Sequence, residues 1–186
     1  MLTYQSLRLT RCIVTKNQFR LLTLLPFLIC SGLIAYALYV EYVQFLMPCN
    51  LCILQRVVYI AIGILFLLAA FKPTLYWGRK LTGVLALLVS AVGIAISGRH
   101  VWMQGLPADQ VPDCGPSLQM MMDSSPLWDV LKKVLNGSGN CADIQWQFIG
   151  MSMPTWSLIM FIGLFLFTLI WMFLRVNAHE NTNPTT

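Results

Sequence analysis

Two cysteines, Cys49 and Cys52, stand three residues apart where a polar connection gives way to a long apolar run. The local sequence is Pro48-Cys49-Asn50-Leu51-Cys52, and Arg56 follows one helical turn after the second cysteine. A Cys-x-x-Cys pair closes into a tight, chemically labile disulfide, which suits redox cycling. As a structural staple such a bridge does little, because it encloses only two residues. Arg56 shares a helical face with Cys52. A cation inside a membrane span is costly and marks either function or a side chain snorkelling to the surface. The functional reading is that Arg56 favours a thiolate at Cys52 or polarises an oxygen of a bound oxidant. The chemistry suggested is electron transfer from thiols outside the lipid to an oxidant dissolved in it.

Four further cysteines complete the set: Cys12, Cys30, Cys114 and Cys141. With Cys49 and Cys52 they divide by depth once the spans are assigned. The chain is 58% hydrophobic and 10% charged, too apolar for an ordinary soluble domain. A helix crosses the hydrocarbon core in about 20 apolar residues. Uncharged or nearly uncharged runs at 21–40, 50–71, 81–98 and 154–174 supply four such helices, with Pro154 suited to the first turn of the last. The expected fold is an all-α membrane protein, a single domain over 1–186 forming a four-transmembrane-helix bundle. No internal repeat is visible.

Orientation follows from lysine and arginine. Arg8, Arg11, Lys16, Arg20, Lys72, Arg79, Lys80 and Arg175, eight of the 12 cations, fall on one side, which is the expected cytoplasmic side. Both termini share it. The opposite side receives the loops 41–49 and 99–153, and all five aspartates lie in the second. The net charge of +5 is therefore a topology signal, and a nucleic-acid partner is not expected. The basic N-terminus with its apolar stretch also has the form of a signal peptide. The apolar run is as long as a full span, so an uncleaved first helix is preferred.

This topology puts Cys49, Cys52, Cys114 and Cys141 on the outer side, where disulfides persist. Four cysteines allow three pairings, and the simplest is Cys49–Cys52 with Cys114–Cys141. Structural stapling remains open for the second pair taken alone. A zinc site made of four cysteines ordinarily shows two Cys-x-x-Cys knuckles and only one is present, so no metal is expected. Cys12 and Cys30 read as unpaired small side chains.

In the long outer segment, Pro107, Pro112 and Pro116 surround Cys114 and argue for an extended loop. Ser125-Pro126 then opens a short amphipathic helix with Leu127, Leu131, Val134 and Leu135 at helical spacing, ended by Asn136-Gly137. It either lies on the membrane surface or packs on the bundle. Gly137-Ser138-Gly139 reads as a hinge before a mobile Cys141. His100 sits at the outer end of the third span, at a depth comparable to the Cys49/Cys52 pair. It is either an interfacial histidine or a hydrogen-bond donor to a quinone carbonyl. Trp102, Trp146 and Trp156 read as an interfacial belt rather than a cofactor box.

Taken in order, Pro-Cys-x-Leu-Cys with arginine four residues on, Arg99-His100-Val101-Trp102, Cys114-Gly115-Pro116 and Cys141-Ala142-Asp143-Ile144-Gln145-Trp146 resemble the disulfide-bond formation protein B (DsbB) family. The resemblance runs from about residue 20 to about 175. It implies a bacterial inner-membrane protein-dithiol:quinone oxidoreductase that reoxidises the periplasmic disulfide donor DsbA. By the same resemblance, Cys114–Cys141 is the loop disulfide, with Cys114 attacked by the DsbA thiolate. Cys141 then relays to Cys49, and Cys52 faces the quinone (ubiquinone or menaquinone), with Arg56 and His100 beside it. Glu41 receives no role. The direction is reasonable: DsbA is a strong oxidant, about −120 mV, and its reoxidation needs a stronger acceptor than an ordinary dithiol. Two other readings compete. A vitamin K epoxide reductase-like enzyme carries its Cys-x-x-Cys later in the helical core. A tetraspan scaffold with stapled loops keeps all four outer cysteines oxidised in every background.

Overall fold

A computed structural model describes residues 13–14, 16–71, 76–107, 109–111, 118–124, 126–136, 139–142 and 146–176. Cys12 and Cys114, together with the expected Ser125 cap and the first two residues of the proposed hinge, lie outside them. Four long helices dominate: α1 (Lys16–Gln44), α2 (Asn50–Phe71), α3 (Tyr76–Gln104) and α6 (Met153–Phe173). Each is long and apolar enough to cross a membrane. Leu28, Ile60, Leu68, Leu88 and Ile170 point outward around the bundle. In water this surface would be untenable, whereas hydrocarbon makes it ordinary. The chain is thus a four-span all-α membrane protein.

The second and fourth spans coincide with their apolar runs, to within a residue at each end. The first and third are longer than 21–40 and 81–98, because the helices continue past the lipid-facing stretch into Lys16–Arg20 and Arg99–Gln104. Charge marks the edge of the bilayer, not the end of the helix. In the bundle α2 touches α1 and α3, and α3 touches α6. At the end opposite the cysteines, β1 (Ile13–Val14) pairs in parallel with β4 (Arg175–Val176), tying the two terminal segments together.

The core joins apolar stacking to a short polar chain. Trp171 Nε1 donates to Thr23 Oγ1 at 2.9 Å, and that hydroxyl donates to Phe19 O at 2.7 Å. Without water, such groups must satisfy one another. Phe19 stacks on Trp171 at 5.4 Å, and Tyr59 on Phe161 at 4.2 Å. Gly93 of α3 lies under the Phe161 ring, where an added Cβ would come within 2.6 Å of Cδ1. Phe161 cannot yield easily, because Tyr59 occupies its other side. Gly93→Ala should therefore cost about 1–3 kcal/mol of stability. Gly98→Ala, with nothing within 4 Å of its Cβ, should cost far less. Thermal unfolding of both variants in detergent checks the contrast.

Three smaller elements shape the outer end. The chain forms α4 (Leu118–Ser124), a short helix for which the sequence holds no signal, and α5 (Leu127–Asn136). Helix α5 buries Val130 and Val134 against the bundle and leaves Leu127 and Trp128 exposed, so it packs on the bundle and still presents an apolar edge. The hairpin β2 (Gln147–Phe148) and β3 (Met151–Ser152) is a local exception to the all-helical expectation.

Candidate functional site

The site begins at the N-terminus of α2. Cys49 occupies the N-cap position: its carbonyl accepts the first helical bond from Ile53 N–H at 3.2 Å, and its sulfur accepts Cys52 N–H at 3.4 Å. A helix start leaves its first N–H groups without intrahelical partners, and here a thiol caps one of them. Cys49 Sγ in turn donates to Cys52 Sγ at 3.1 Å. The helix end thus holds the two sulfurs together as a dithiol, about 1 Å from bonding distance.

Cys141 lies against this pair. It ends a 3-10 turn over Gly139–Cys141, closed by Ala142 N–H donating to Gly139 O at 2.9 Å, and it is fully buried. Its sulfur is in hydrogen-bond contact with Cys49. That neighbour favours a Cys49 thiolate, but the Cys52 thiol and burial outweigh it and push Cys49 up to about 12. The 3-10 turn seats Cys141 in the interior, beside the sulfur it was expected to meet.

His100 is buried at the depth expected of it. Its Nε2 lies 3.6 Å from Cys49 Sγ, and its Nδ1 lies 3.3 Å from the amide nitrogen of buried Gln55. The main chain of Cys141 also reaches the ring. Gln55 had no signal in the sequence beyond being polar within a span. Two turns along α2, the arginine is held by groups of the neighbouring helix. Arg56 forms an ion pair with Glu41 of α1 and donates through Nη2 to Ala37 O at 3.3 Å. Glu41 is thereby assigned a structural partner that spacing alone does not reveal, since the two residues belong to different helices.

Cys49, Cys52, Gln55, Arg56, Glu41 and His100 all line one cavity of about 480 Å³ between α1, α2, α3 and α6. Its other walls are mainly apolar, including Leu33, Ile34, Val40, Tyr59 and Met160. Trp146 and Trp156 also line it, which corrects their reading as a belt alone. Trp146 enters the hairpin from its N-terminal side and Trp156 stands on the first turn of α6. Ile149 and Gly150 both adopt positive φ, 53° and 73°, the backbone of a two-residue type I′ turn. The turn folds Phe148 beside Trp146, with rings 6.0 Å apart, and lets Trp156 Nε1 donate to Phe148 O at 3.2 Å. Trp102, by contrast, remains exposed with the Arg99 guanidinium 4.6 Å from its ring centre.

The arrangement combines a dithiol, a third cysteine in contact with it, and an apolar cavity bearing one charged pair. The sequence that carries this site is similar to that of known proteins. Residues 19–171 match the family described as disulfide bond formation protein DsbB. A "Disulfide bond formation protein B" of Nitrosococcus oceani is 49% identical over 140 residues, covering 75% of this chain and 83% of the relative. Proteins of the same name from Saccharophagus degradans and Chromobacterium violaceum are 46% identical over 163 residues and 49% over 140 residues. They cover 87% and 75% of this chain and 98% and 84% of the relatives, respectively. A match across all four spans and the cysteine-bearing loops establishes that this chain is a member of the DsbB family.

Proposed function

We propose that this protein is a membrane thiol:quinone oxidoreductase that regenerates the disulfide of a DsbA-like periplasmic oxidant. The observation that carries the reading is the Cys49/Cys52 dithiol at the wall of a membrane-level apolar cavity, with the Cys141 sulfur in contact behind it. Electrons from a soluble dithiol can enter through Cys141 and leave toward the lipid through Cys52.

The cavity and its donors suit a quinone head group. Its volume lies within the usual range for small-ligand sites, and its lining is apolar apart from a few convergent polar groups. Arg56, Gln55 and His100 are the groups that would hold the ring oxygens, while Leu33, Ile34 and Met160 would accommodate its apolar face. A bound quinone would supply the terminal acceptor, taking the two electrons and two protons that closing a dithiol releases.

The chain's own residues perform the exchange. A partner thiolate attacks Cys114 of a Cys114–Cys141 disulfide and releases Cys141 as thiolate. Cys141 attacks Cys49 of a Cys49–Cys52 disulfide, forming Cys49–Cys141 and freeing Cys52. The second partner thiol resolves its bond to Cys114, and the freed Cys114 regenerates Cys114–Cys141 at the expense of Cys49. One partner disulfide is made, and Cys49 and Cys52 end as a dithiol. Glu41 is a positioning residue that fixes the Arg56 guanidinium on the cavity wall. The orientation supporting this reading has both termini in the cytoplasm and the cysteines on the periplasmic side of the inner membrane. The β1–β4 pairing, which joins the terminal segments at the opposite end from Cys49, agrees with it.

The test uses purified protein in detergent with reduced DsbA and soluble analogues of ubiquinone and menaquinone. DsbA-dependent loss of quinone absorbance is expected with at least one analogue, and loss of the rate in Cys114→Ser. A folded wild-type protein that reduces neither analogue would overturn the oxidase reading and favour a scaffold.

A further inference from the structure

Cys49, Cys52 and His100 also have the geometry of metal donors. Their two sulfurs and ring nitrogen all lie within 4.8 Å of one another. A tetrahedral zinc ion, with Zn–S of about 2.3 Å and Zn–N of about 2.0–2.1 Å, spaces a sulfur and a nitrogen by about 3.5 Å and two sulfurs by about 3.8 Å. Cys49 Sγ and His100 Nε2 are 3.6 Å apart, already at that separation. The two sulfurs, 3.1 Å apart, need to part by about 0.7 Å, a small rotation about either Cα–Cβ bond.

The surroundings support the same use. A metal-bound histidine ordinarily has a hydrogen-bond partner on its second ring nitrogen, which fixes the tautomer. Here the Gln55 side-chain amide stands 3.3 Å from Nδ1, and Gln55 is itself buried. With the amide oxygen turned to the ring, Gln55 accepts Nδ1–H and leaves the Nε2 lone pair facing Cys49. The Cys141 sulfur, in contact with Cys49, is a further thiol close to the site. The expectation of no metal set aside a four-cysteine site on the strength of the missing second knuckle. Histidine supplies what that pattern lacked, from a helix 51 residues away.

We infer that the reduced Cys49–Cys52 pair and His100 form a three-ligand site, two thiolates and one imidazole, for a thiophilic divalent cation of the zinc and cadmium class, present in the dithiol state and absent in the disulfide state. Binding replaces two thiol protons with one cation: two S–H bonds break, two metal–sulfur bonds form, and two protons leave to solvent. No electrons move. A cystine has no thiolate to give, so oxidation abolishes the site. A bound ion would in turn hold the pair reduced and withdraw it from thiol exchange. The site follows from the dithiol and histidine geometry and does not depend on quinone being the acceptor.

The test is a cadmium titration of purified protein in detergent, on a Cys114→Ser background so that the loop cannot offer a second dithiol. Sulfur-to-cadmium charge-transfer absorbance is the readout. The phosphine-reduced protein should bind one cadmium per chain. The signal should be lost in Cys52→Ser and in protein whose Cys49–Cys52 bond has been closed. His100→Asn, with helicity verified by circular dichroism, should bind more than about tenfold more weakly, since even outer partners of a metal ligand are worth that much. Zinc-edge X-ray absorption on the unsubstituted histidine should show sulfur and imidazole together, which covers the case of a misfolded His100 variant. Equal affinity for the disulfide form, undiminished binding by Cys52→Ser, or an all-sulfur shell would overturn the proposal. These readouts involve no turnover, so the metal site and the oxidase reading stand or fall separately.

Discussion

Cys52→Ser will reduce quinone more than about 10³-fold more slowly than wild type and will accumulate a Cys49–Cys141 disulfide. The rate falls because the pair can no longer close, and no other described group on the cavity wall can give up two electrons. The linkage follows from packing. With Cys52 gone, Cys49 keeps its contact with the buried Cys141 sulfur. Cys49 can then attack Cys141 of the loop disulfide and expel Cys114 as a thiol, an exchange that needs no outside oxidant. In wild type the same bond is short-lived, because Cys52, 3.1 Å from Cys49, can displace Cys141 from it, a second exit beside the Cys114 step. Peptide mapping without reduction, before and after addition of reduced DsbA, measures the linkage. Cys49→Ser should show neither the linkage nor the rate. Persistent quinone reduction by Cys52→Ser would sink the assigned direction of the relay, and a Cys52→Ser protein in which Cys141 bonds only to Cys114 would show that the observed contact is not the exchange path.

How far the sequence carried this site depends on how local each feature is. The spans were legible because hydropathy is local, and the second and fourth were placed nearly to the residue. The first and third ran past their apolar stretches, since a helix that leaves the bilayer loses its hydrophobic signature before it loses its hydrogen bonds. The Cys49/Cys52 pair and the Arg56 face were legible from spacing along one helix. His100 was placed at the right depth by counting along the third span, but its contact with Cys49 depends on how α2 and α3 pack. Gln55 shows the same limit from the other side: its role is set by a histidine 45 residues away, and nothing in its neighbours announces it. The Gly-Ser-Gly stretch suggests a hinge, and its last residue, Gly139, opens the 3-10 turn that carries Cys141 into the interior. Trp146 and Trp156 carry the composition of an interfacial belt. A tight hairpin with an isoleucine at positive φ, an uncommon residue for that backbone, joins Trp146 to the α6 turn that carries Trp156, and both line the cavity. The seven residues of α4 are too few for a periodic signal amid flanking prolines.

Arg56→Met will destabilise the protein more than the double variant Glu41→Gln/Arg56→Met, although the double variant carries one more substitution. Arg56 and Glu41 are bound to each other within the bundle, about four-fifths covered, and their open fraction lies on the cavity wall. Removing the guanidinium leaves a carboxylate facing an apolar cavity without its cation. Breaking such a pair from one side costs about 3–5 kcal/mol when it is fully buried, and less here because part of each group is open. Neutralising Glu41 as well removes the stranded charge and should recover a large part of the loss. The quinone-reduction readout separates position from charge. Arg56→Met should lower kcat/KM for the quinone analogue by about 10²-fold, the scale for one lost electrostatic donor. Glu41→Gln keeps the cation and loses its clamp, so the fall should be smaller and should appear chiefly in KM. Arg56→Lys should not restore wild-type behaviour, because a point charge cannot bind Glu41 and Ala37 O together as the guanidinium fork does. The two residues should be strongly non-additive in a double-mutant cycle, as groups in direct contact are. Additive effects on both stability and kcat/KM would show that Glu41 and Arg56 act independently, and Glu41 would then lose its assigned place in the site.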